Sequence, residues 1–381
     1  MFPKYMSIFS ILIIVGVTAS AQNREAPRQE RDNFVDREIK GSLVKRSELF
    51  TIQDFDNTVN EEDLITVPLQ NHQDYTITSS GSYYLKGVHS DTTIIIDLAK
   101  TSATVQLVME DLSINNKDKP ALWVKSKTAL LINLRGSNSL TGKQSHSSRY
   151  KEAKGLIYSP YDITFKGKGS LLINAQANDA IKTNGIVKVI GSTLNIQSYK
   201  DSIDAEGAIR LLNAQISLVS QKDGIRSTSD KTPDNSYLYI NNSTIELSTV
   251  EDALRGDSFV QIDSGFINIA DSGEGIEGTQ VQVNGGTINL YARDDGINAS
   301  NKSSRSMLIL IKGGNIKIKM AEGDTDALDS NGDLHILGGI LNIEARSPFD
   351  ADGEFLFKGA VATVNGQTVD ESNYRQFKSR W

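Results

Sequence analysis

The chain has 381 residues, no cysteine and a net charge of −7 at pH 7. This mildly acidic balance argues against nucleic acid as a partner. Because there is no cysteine, neither disulfides nor cysteine metal sites hold the fold, and packing must do so.

The N-terminus has the parts of a secretory signal peptide. Lys4 precedes an apolar run at 8–17, and Ala19-Ser20-Ala21 matches a small-residue cleavage site. An apolar run of about ten residues is too short to span a bilayer. We therefore expect a signal peptide at 1–21, cleavage near Ala21 and no transmembrane segment. The mature protein would be secreted, periplasmic or on the cell surface.

Residues 22–63 are polar, with charges of both signs and few apolar positions. This composition predicts a linker or a partly ordered N-terminal cap rather than a second domain. Residues 64–381 are then a single domain. Its last segment, 354–381, contains a turn at Asn365-Gly366 and is expected to cap the C-terminal end.

An acidic motif, Asp-Ala/Gly-Ile/Leu or a degraded copy, recurs along this domain. Its acid positions are Asp179, Asp201, Asp223, Asp252, Glu274, Asp295, Asp326 and Asp350. The commonest step is 22 residues, and longer steps carry polar insertions at 227–236 and 300–306. Both insertions follow the motif, so we expect them to bulge from the same corner. A repeat of this length is typical of stacked solenoid coils.

Each repeat also contains apolar pairs at i and i+2, such as Leu194/Ile196 and Ile288/Leu290. This alternation predicts strands with one buried face. The repeat from 179 to 200 divides into three short strands at 180–183, 186–190 and 193–197. The sequence therefore predicts an all-β, right-handed parallel β-helix with about 22 residues and three strands per coil. An antiparallel sandwich would not keep a constant repeat.

The motif acids should form a column, because neighbouring coils lie about 4.8 Å apart. Carboxylates at this spacing repel one another unless they are protonated, solvated or bridged by a cation. Oxygen ligands suit Ca²⁺, and the four histidines show no zinc spacing. We predict Ca²⁺ between coils, and the alternative is that each acid caps a turn. The candidate ligands are Asp179, Asp201, Asp223, Asp252, Asp295, Asp326 and Asp329.

A second, outward column lies three residues after each acid. Its members are Lys182, Asp204, Arg226, Arg255, Glu277, Asn298 and Asp329. Ion pairs between coils are one interpretation of this column. The other is a groove for a sugar chain, in which Lys182, Arg226 and Arg255 meet uronate carboxylates. Tyr199 and Tyr291 would then stack on sugar rings.

The N-terminal coils carry a more specific pattern. Residues 75–87 read Tyr-Thr-Ile-Thr-Ser-Ser-Gly-Ser-Tyr-Tyr-Leu-Lys-Gly, followed by apolar strands at 94–97, 105–114, 120–124 and 129–134 and then by the acidic repeats. This order resembles the secreted bacterial carbohydrate-binding β-helix family, related in fold to pectate lyases, over roughly 75–350.

The resemblance implies a Ca²⁺-containing right-handed parallel β-helix that binds acidic plant polysaccharide, such as polygalacturonate, and cellulose. It places the calcium acids of the family on the motif positions of this chain. Those positions are Asp179, Asp201, Asp223, Asp252, Asp295 and Asp326. Lys154 and Glu274 depart from the pattern of the family on their coils.

Three functions follow as hypotheses. The sequence favours a monomeric, non-catalytic polysaccharide-binding protein over an enzyme. A Ca²⁺-dependent, pectate-type polysaccharide lyase is the first alternative, with Lys182, Arg226 or Arg255 as the base. A structural or adhesive surface solenoid without a glycan site is the second.

Overall fold

The structure is a computed structural model that describes residues 40–99, 103–143, 149–323 and 325–378. The expected signal peptide, 1–21, and residues 22–39 lie outside the described residues. The chain is all-β and forms a β-solenoid of about 11 turns, as a parallel β-helix. No helix within the described ranges is both long and apolar enough to cross a membrane.

Three sheets run along the solenoid, and most coils contribute one strand to each. Sheet A contains Tyr75–Ile77, Ile94–Ile96, Leu122–Val124, Gly155–Ser159, Asp179–Thr183, Ile203–Ala205, Ile225–Ser227, the first parts of Leu254–Ile262 and Ile276–Val283, Ile297–Ala299, Asp326–Ser330 and Ser347–Ala351.

Sheet B follows sheet A in each coil. It contains Leu64–Thr66, the first parts of Gly81–Ser90 and Ala103–Asn116, Thr128–Arg135, Ile163–Gly167, Val187–Ile190, Ile209–Leu212, Tyr237–Asn241, the second parts of Leu254–Ile262 and Ile276–Val283, Leu308–Ile311, Asp333–Ile336 and Phe355–Phe357.

Sheet C completes the coil. It contains the second parts of Gly81–Ser90 and Ala103–Asn116, Ser137–Gly142, Ser170–Ala175, Thr193–Ser198, Gln215–Ser220, Ser243–Ser248, Gly265–Asp271, Thr287–Ala292, Asn315–Met320, Ile340–Glu344 and Val361–Val364.

The repeat that begins at Asp179 shows why these residues form a coil. Its strands are Asp179–Thr183, Val187–Ile190 and Thr193–Ser198, so the prediction of three short strands per coil is confirmed. Leu194 and Ile196 are buried, whereas Asn195 between them is exposed. The inward apolar residues of all three sheets stack into one continuous core along the axis. This burial is the main favourable term for folding.

The two polar insertions leave the solenoid between sheets A and B and touch each other, as expected for loops at one corner. The first contains a 3₁₀ turn, Pro233–Asn235. The backbone N–H and the hydroxyl of Ser304 in the second insertion each donate to a carboxylate oxygen of Asp234 at 2.8 Å. Together they form a ridge beside sheet A.

The C-terminal end is covered by a different kind of pairing. Gln367–Val369 pairs antiparallel with Val361–Val364 of the last coil. The 3₁₀ helix Tyr374–Phe377 then places Tyr374 edge-on to Phe355, with ring centroids 5.0 Å apart. This hairpin and helix close the core at that end.

Residues 40–63, here called the strap, lie along the outer face of sheet B. They contain short helices at Arg46–Leu49 and Ile52–Phe55 and a 3₁₀ helix at Glu61–Asp63. Leu49 and Phe50 are buried and pack on Ile190, Leu212 and Tyr239 of successive coils.

Polar side chains of sheet B hold the strap at intervals of about one coil. Lys312 donates to the carbonyl of Gly41 at 2.7 Å, and Arg210 donates to that of Leu49 at 2.9 Å. Further contacts join Gln261 to Val44, Lys188 to Asp54, Lys166 to Asp56 and Arg135 to Glu61. The strap therefore runs from the coil that contains Lys312 back to the coil that contains Arg135, opposite to the direction of stacking.

Candidate functional site

The motif acids stand at the corner between sheets C and A and are hydrogen-bonded from coil to coil. The backbone N–H of Asp201 donates to Oδ1 of Asp179 at 3.3 Å, and that of Asp223 donates to Oδ1 of Asp201 at 3.1 Å. Asp252 continues the series to Asp223 at 3.0 Å. The side chains thus cap turns, and the turn that each one caps belongs to the next coil.

The carboxylates of this column are buried, and like charges lie close to them. Burial and then the neighbouring Asp201 and Asp204 raise the pKa of Asp179 to about 7. Burial and then Asp223 raise the pKa of Asp201 to about 6. Both directions express the cost of placing negative charges together away from water.

Asp204 brings a third carboxylate to this point. It lies on Ile203–Ala205 in the outward column, in register with Lys182 of the preceding coil and Arg226 of the following one. One oxygen from each of Asp179, Asp201 and Asp204 lies within 4.8 Å of the others. Asp204 is only 4% exposed, and its Oδ1 has no hydrogen-bond partner.

These three acids, here called the acidic triad, fit a hard divalent cation. Their atoms are carboxylate oxygens, the ligands that Ca²⁺ prefers, and they come from two adjacent coils. A cation between them would offset the repulsion that raises the pKa of Asp179. It would also contact Oδ1 of Asp204, which has no hydrogen bond and lies 3.8 Å from Nε of Arg226. The triad is the group of three acids that converges in this way within the described part of the chain.

The remaining predicted metal ligands lie on later coils. Burial and then Glu274 raise the pKa of Asp252 to about 7, and burial and then Asp329 do the same for Asp295. Burial and then Asp326 raise the pKa of Asp329 to about 6. These residues share the repulsion of the triad without the same convergence of oxygen atoms among the described residues. Asp223 likewise has a pKa raised to about 6, by burial and then by Asp252.

The three basic residues predicted to meet uronates all form ion pairs with the protein's own acids. Lys182 donates to Asp204 of the next coil. Arg226 lies 3.4 Å from Asp201 and 3.3 Å from Asp223. Ion pairs between coils, one of the two interpretations of this column, are what the structure contains.

Arg255 makes the same kind of contact one coil later. Its guanidinium lies 3.2 Å from Asp252, 3.4 Å from Asp257 and 3.3 Å from Glu277. Burial opposes the charged form, but Glu277, Asp252 and Asp257 outweigh it and raise the pKa of Arg255. For Arg226, Asp204, Asp201 and Asp223 outweigh burial in the same way. The neighbouring carboxylates therefore favour the protonated form of both guanidinium groups.

The two predicted stacking tyrosines belong to another surface. Tyr291 lies on Thr287–Ala292, on the outer side of sheet C and in register with Lys319. Tyr199 follows the sheet C strand Thr193–Ser198 and is 60% exposed. Four coils separate them, which corresponds to roughly 19 Å along the axis. The structure therefore separates the tyrosines from the ion-paired column of sheet A.

Sequence reasoning placed Asp204 in the outward column but did not identify it as a possible metal ligand. The available signal was its position between Lys182 and Arg226, as the acid that both cations approach. A spacing of three residues from Asp201 also places it on the adjacent strand, so its carboxylate can reach the corner.

Comparisons with known proteins identify the family of the chain. A family model for carbohydrate-binding domain-containing proteins matches residues 71–324 and 272–374. A carbohydrate-binding domain-containing protein of Acetivibrio thermocellus is 33% identical over 228 residues, which cover 58% of this chain and 79% of the relative. The chain belongs to this family of carbohydrate-binding domain-containing proteins.

A solved structure adds one further similarity. It is described as the polysaccharide lyase-like protein from C. thermocellum, in a gadolinium derivative. It is 20% identical to this chain and covers 77% of it, and 87% of that protein is aligned, with a TM-score of 0.34.

Proposed function

We propose that the protein is an exported, non-catalytic polysaccharide-binding protein that holds Ca²⁺ at Asp179, Asp201 and Asp204. Membership of the carbohydrate-binding family supports the binding activity. The observation that supports the ion is the acidic triad, with three buried carboxylates and one oxygen that has no hydrogen bond. When bound, the ion would supply positive charge that links two coils and is available to an anionic ligand.

An acidic, plant-type glycan such as polygalacturonate is the proposed ligand of this corner. Lys182, Arg226 and Arg255 are engaged with protein carboxylates, so free cations do not explain uronate binding here. Ca²⁺ takes roughly six to eight oxygen ligands, so three aspartates leave coordination positions for further oxygen atoms. Uronate oxygens have the chemistry to occupy such positions.

The raised pKa values of Arg226 and Arg255 support a non-catalytic role. A pectate-type lyase needs a base that accepts a proton from the sugar, and a guanidinium can serve only when its pKa is lowered. Incubation with polygalacturonate and Ca²⁺ should therefore yield no unsaturated uronate product by ultraviolet absorbance. Product that disappears in Arg226→Ala would replace this proposal with the lyase.

The test of binding is isothermal titration of polygalacturonate into the protein, once with Ca²⁺ and once with chelator. We expect saturable heat with Ca²⁺ and at least about tenfold weaker binding with chelator. Equal affinity in both buffers would show that Ca²⁺ takes no part in ligand binding. Absence of heat in both would rule out polygalacturonate as the ligand and favour the adhesive solenoid. Export is tested separately by N-terminal sequencing of the natural protein, which should begin near Gln22.

A further inference from the structure

The three outer faces of the solenoid differ in what already occupies them. The strap covers the outer face of sheet B over many coils. The outward column of sheet A is engaged in ion pairs from Lys182 to Glu277. Among the described residues, no segment covers the middle coils of sheet C, and an ion pair at its edge joins Asp271 to Arg293. Of the faces that the structure describes, it is the one whose polar groups remain available to a partner.

The exposed side chains of sheet C are almost all uncharged from Ser137–Gly142 to Thr287–Ala292. In these seven strands, all within the described residues, the outward positions carry Ser, Thr, Asn or Gln with a few apolar side chains. Glu246 and Asp271 contribute the charges in these strands, and Asp271, which stands in register with Ser248, is paired with Arg293. Such a face offers many hydrogen-bond donors and acceptors but little attraction for a polyanion.

These side chains form ladders because the strands are in register. Asn195 pairs with Ser217, Ser217 with Glu246, Glu246 with Asn268, and Asn268 with Asn289. Successive members therefore lie about 4.8 Å apart along the axis. Within the described chain, the amide groups of Asn195, Asn268 and Asn289 make no hydrogen bond, so each presents free donors and an acceptor to solvent.

Apolar side chains lie on the same face. Leu172 is 44% exposed, Val219 41% and Phe266 37%, and Tyr291 lies on the same face, in the column nearest sheet A. Sugar rings present hydroxyl groups at their edges and C–H groups on their faces. A flat surface that combines primary amides with scattered apolar and aromatic groups matches both parts of a sugar ring.

We infer that the outer face of sheet C binds an extended polysaccharide through its hydroxyl groups, independently of Ca²⁺ and of charge on the glycan. Asn195, Asn268 and Asn289 are the specificity-determining residues, and Tyr291 supplies a stacking surface. The inference rests on the proposed polysaccharide-binding function and adds a surface separate from the acidic triad. The ion-paired residues of sheet A then hold coils together, and the hydroxyl contacts come from sheet C.

The experiment measures binding of a soluble, uncharged β-glucan and of polygalacturonate to the full chain by affinity electrophoresis. The test variant combines Asn195→Ala, Asn268→Ala and Asn289→Ala. The matched control combines Asn57→Ala, Asn235→Ala and Asn301→Ala, three exposed asparagines away from sheet C whose side chains also make no hydrogen bond in the described chain. We expect the test variant to bind the β-glucan at least about tenfold more weakly than the control.

The two ligands make the outcomes distinct. Wild-type binding of the β-glucan in chelator, lost in the test variant while Ca²⁺-dependent polygalacturonate binding persists, supports the inference. Equal β-glucan binding by the test variant and the control would overturn the assignment of sheet C. Wild-type protein that binds polygalacturonate but no β-glucan would overturn it as well and leave the proposed function standing. Failure of the wild-type protein to bind either ligand would contradict both the inference and the proposed function.

A charge-introducing variant checks the same face without depending on amide removal. Ser217→Glu lies in the middle of the ladder, beside Glu246. It should weaken β-glucan binding because the new carboxylate would have to lose bound water when the sugar chain covers it. A Tm equal to that of the wild type would show that the fold is intact. Unchanged binding by this folded variant would contradict the inference.

Discussion

Oδ1 of Asp179 accepts the backbone N–H of Asp201, the residue that stands directly above it in the next coil. The same two side chains also belong to the acidic triad. One carboxylate therefore joins coils through a neutral backbone donor while its charge remains available for a cation. This double role separates the hydrogen-bond function of the ladder from its charge and allows the two to be tested independently.

Asp201→Asn should abolish most Ca²⁺ binding and leave the ladder intact. The asparagine oxygen still accepts the N–H of Asp223, but one of the three negative charges is lost. We expect Ca²⁺ affinity to fall at least about tenfold, measured by calorimetry and by the shift of Tm on adding Ca²⁺. Asp223→Asn is the matched control, because it makes the same change one coil beyond the triad. An equal loss of affinity in both variants would contradict the triad as the site.

Stability in chelator should fall as pH rises from about 5 to 7.5. The pKa values of Asp179, Asp252, Glu274 and Asp295 are raised to about 7, in each case by burial and then by neighbouring carboxylates. These groups bind protons more tightly in the folded chain than in the unfolded chain. Their contribution is therefore complete below pH about 4 and is lost as pH approaches about 7.

The measurement is Tm against pH, with chelator and with excess Ca²⁺. We expect a fall of about 5 °C or more in chelator and a smaller one with Ca²⁺, which competes with protons for the carboxylates. Asp179→Asn keeps the acceptor oxygen but cannot ionise, so its curve in chelator should be flatter. A wild-type Tm that rises with pH in chelator would show that repulsion in the column is relieved in another way.

Arg255→Ala should destabilise the protein strongly. It leaves Asp252, Asp257 and Glu277 without the guanidinium that lies between them, and all three are largely buried. Loss of one member from such a group costs about 3 kcal/mol. Lys222→Ala is the control, because its partner Glu251 is half exposed, and the expected loss is about 0.5 kcal/mol. Similar values from urea unfolding of both variants would contradict a structural role for the column.

Phe50→Ala should loosen the strap. Phe50 is 6% exposed and packs on Tyr239, whereas Ile52 in the next turn is 88% exposed. We expect Phe50→Ala to lower the free energy of unfolding by about 3 kcal/mol and to speed proteolysis within 40–63. Ile52→Ala should change neither property. Equal proteolysis of the two variants would indicate that the polar contacts alone hold the strap.

The sequence was sufficient for the architecture because the fold repeats. Buried apolar residues equivalent to Ile181, Leu194 and Ile196 recur along the coils, so each repeat shows the same alternation and the same turn. The corner shared by the two insertions followed from that repeat as well, and the contact between Ser304 and Asp234 agrees with it.

The candidate site was less predictable because its contacts do not repeat. Lys182, Arg226 and Arg255 occupy equivalent positions but form ion pairs with different acids. The reason is that the residue at this position changes from coil to coil: Asp204 is in register with Lys182, and Glu277 with Arg255. Residues 22–63, which include the strap, were expected to form a linker or a partly ordered N-terminal cap. Gly41 meets Lys312 across 271 residues of sequence, and nothing local in 40–63 indicates which face receives it.

The strap also sets an order of events during synthesis. Residues 40–56 leave the ribosome before any of the coils they contact, yet Lys312, which holds the N-terminal end of the strap, is synthesised after all the other contacting residues. Coils can stack one by one through local contacts, but the strap must wait for nearly the whole solenoid. The strap therefore docks fully only after the coils up to Lys312 have formed. A chain truncated before Lys312 would expose a loose N-terminal segment to quality-control proteases.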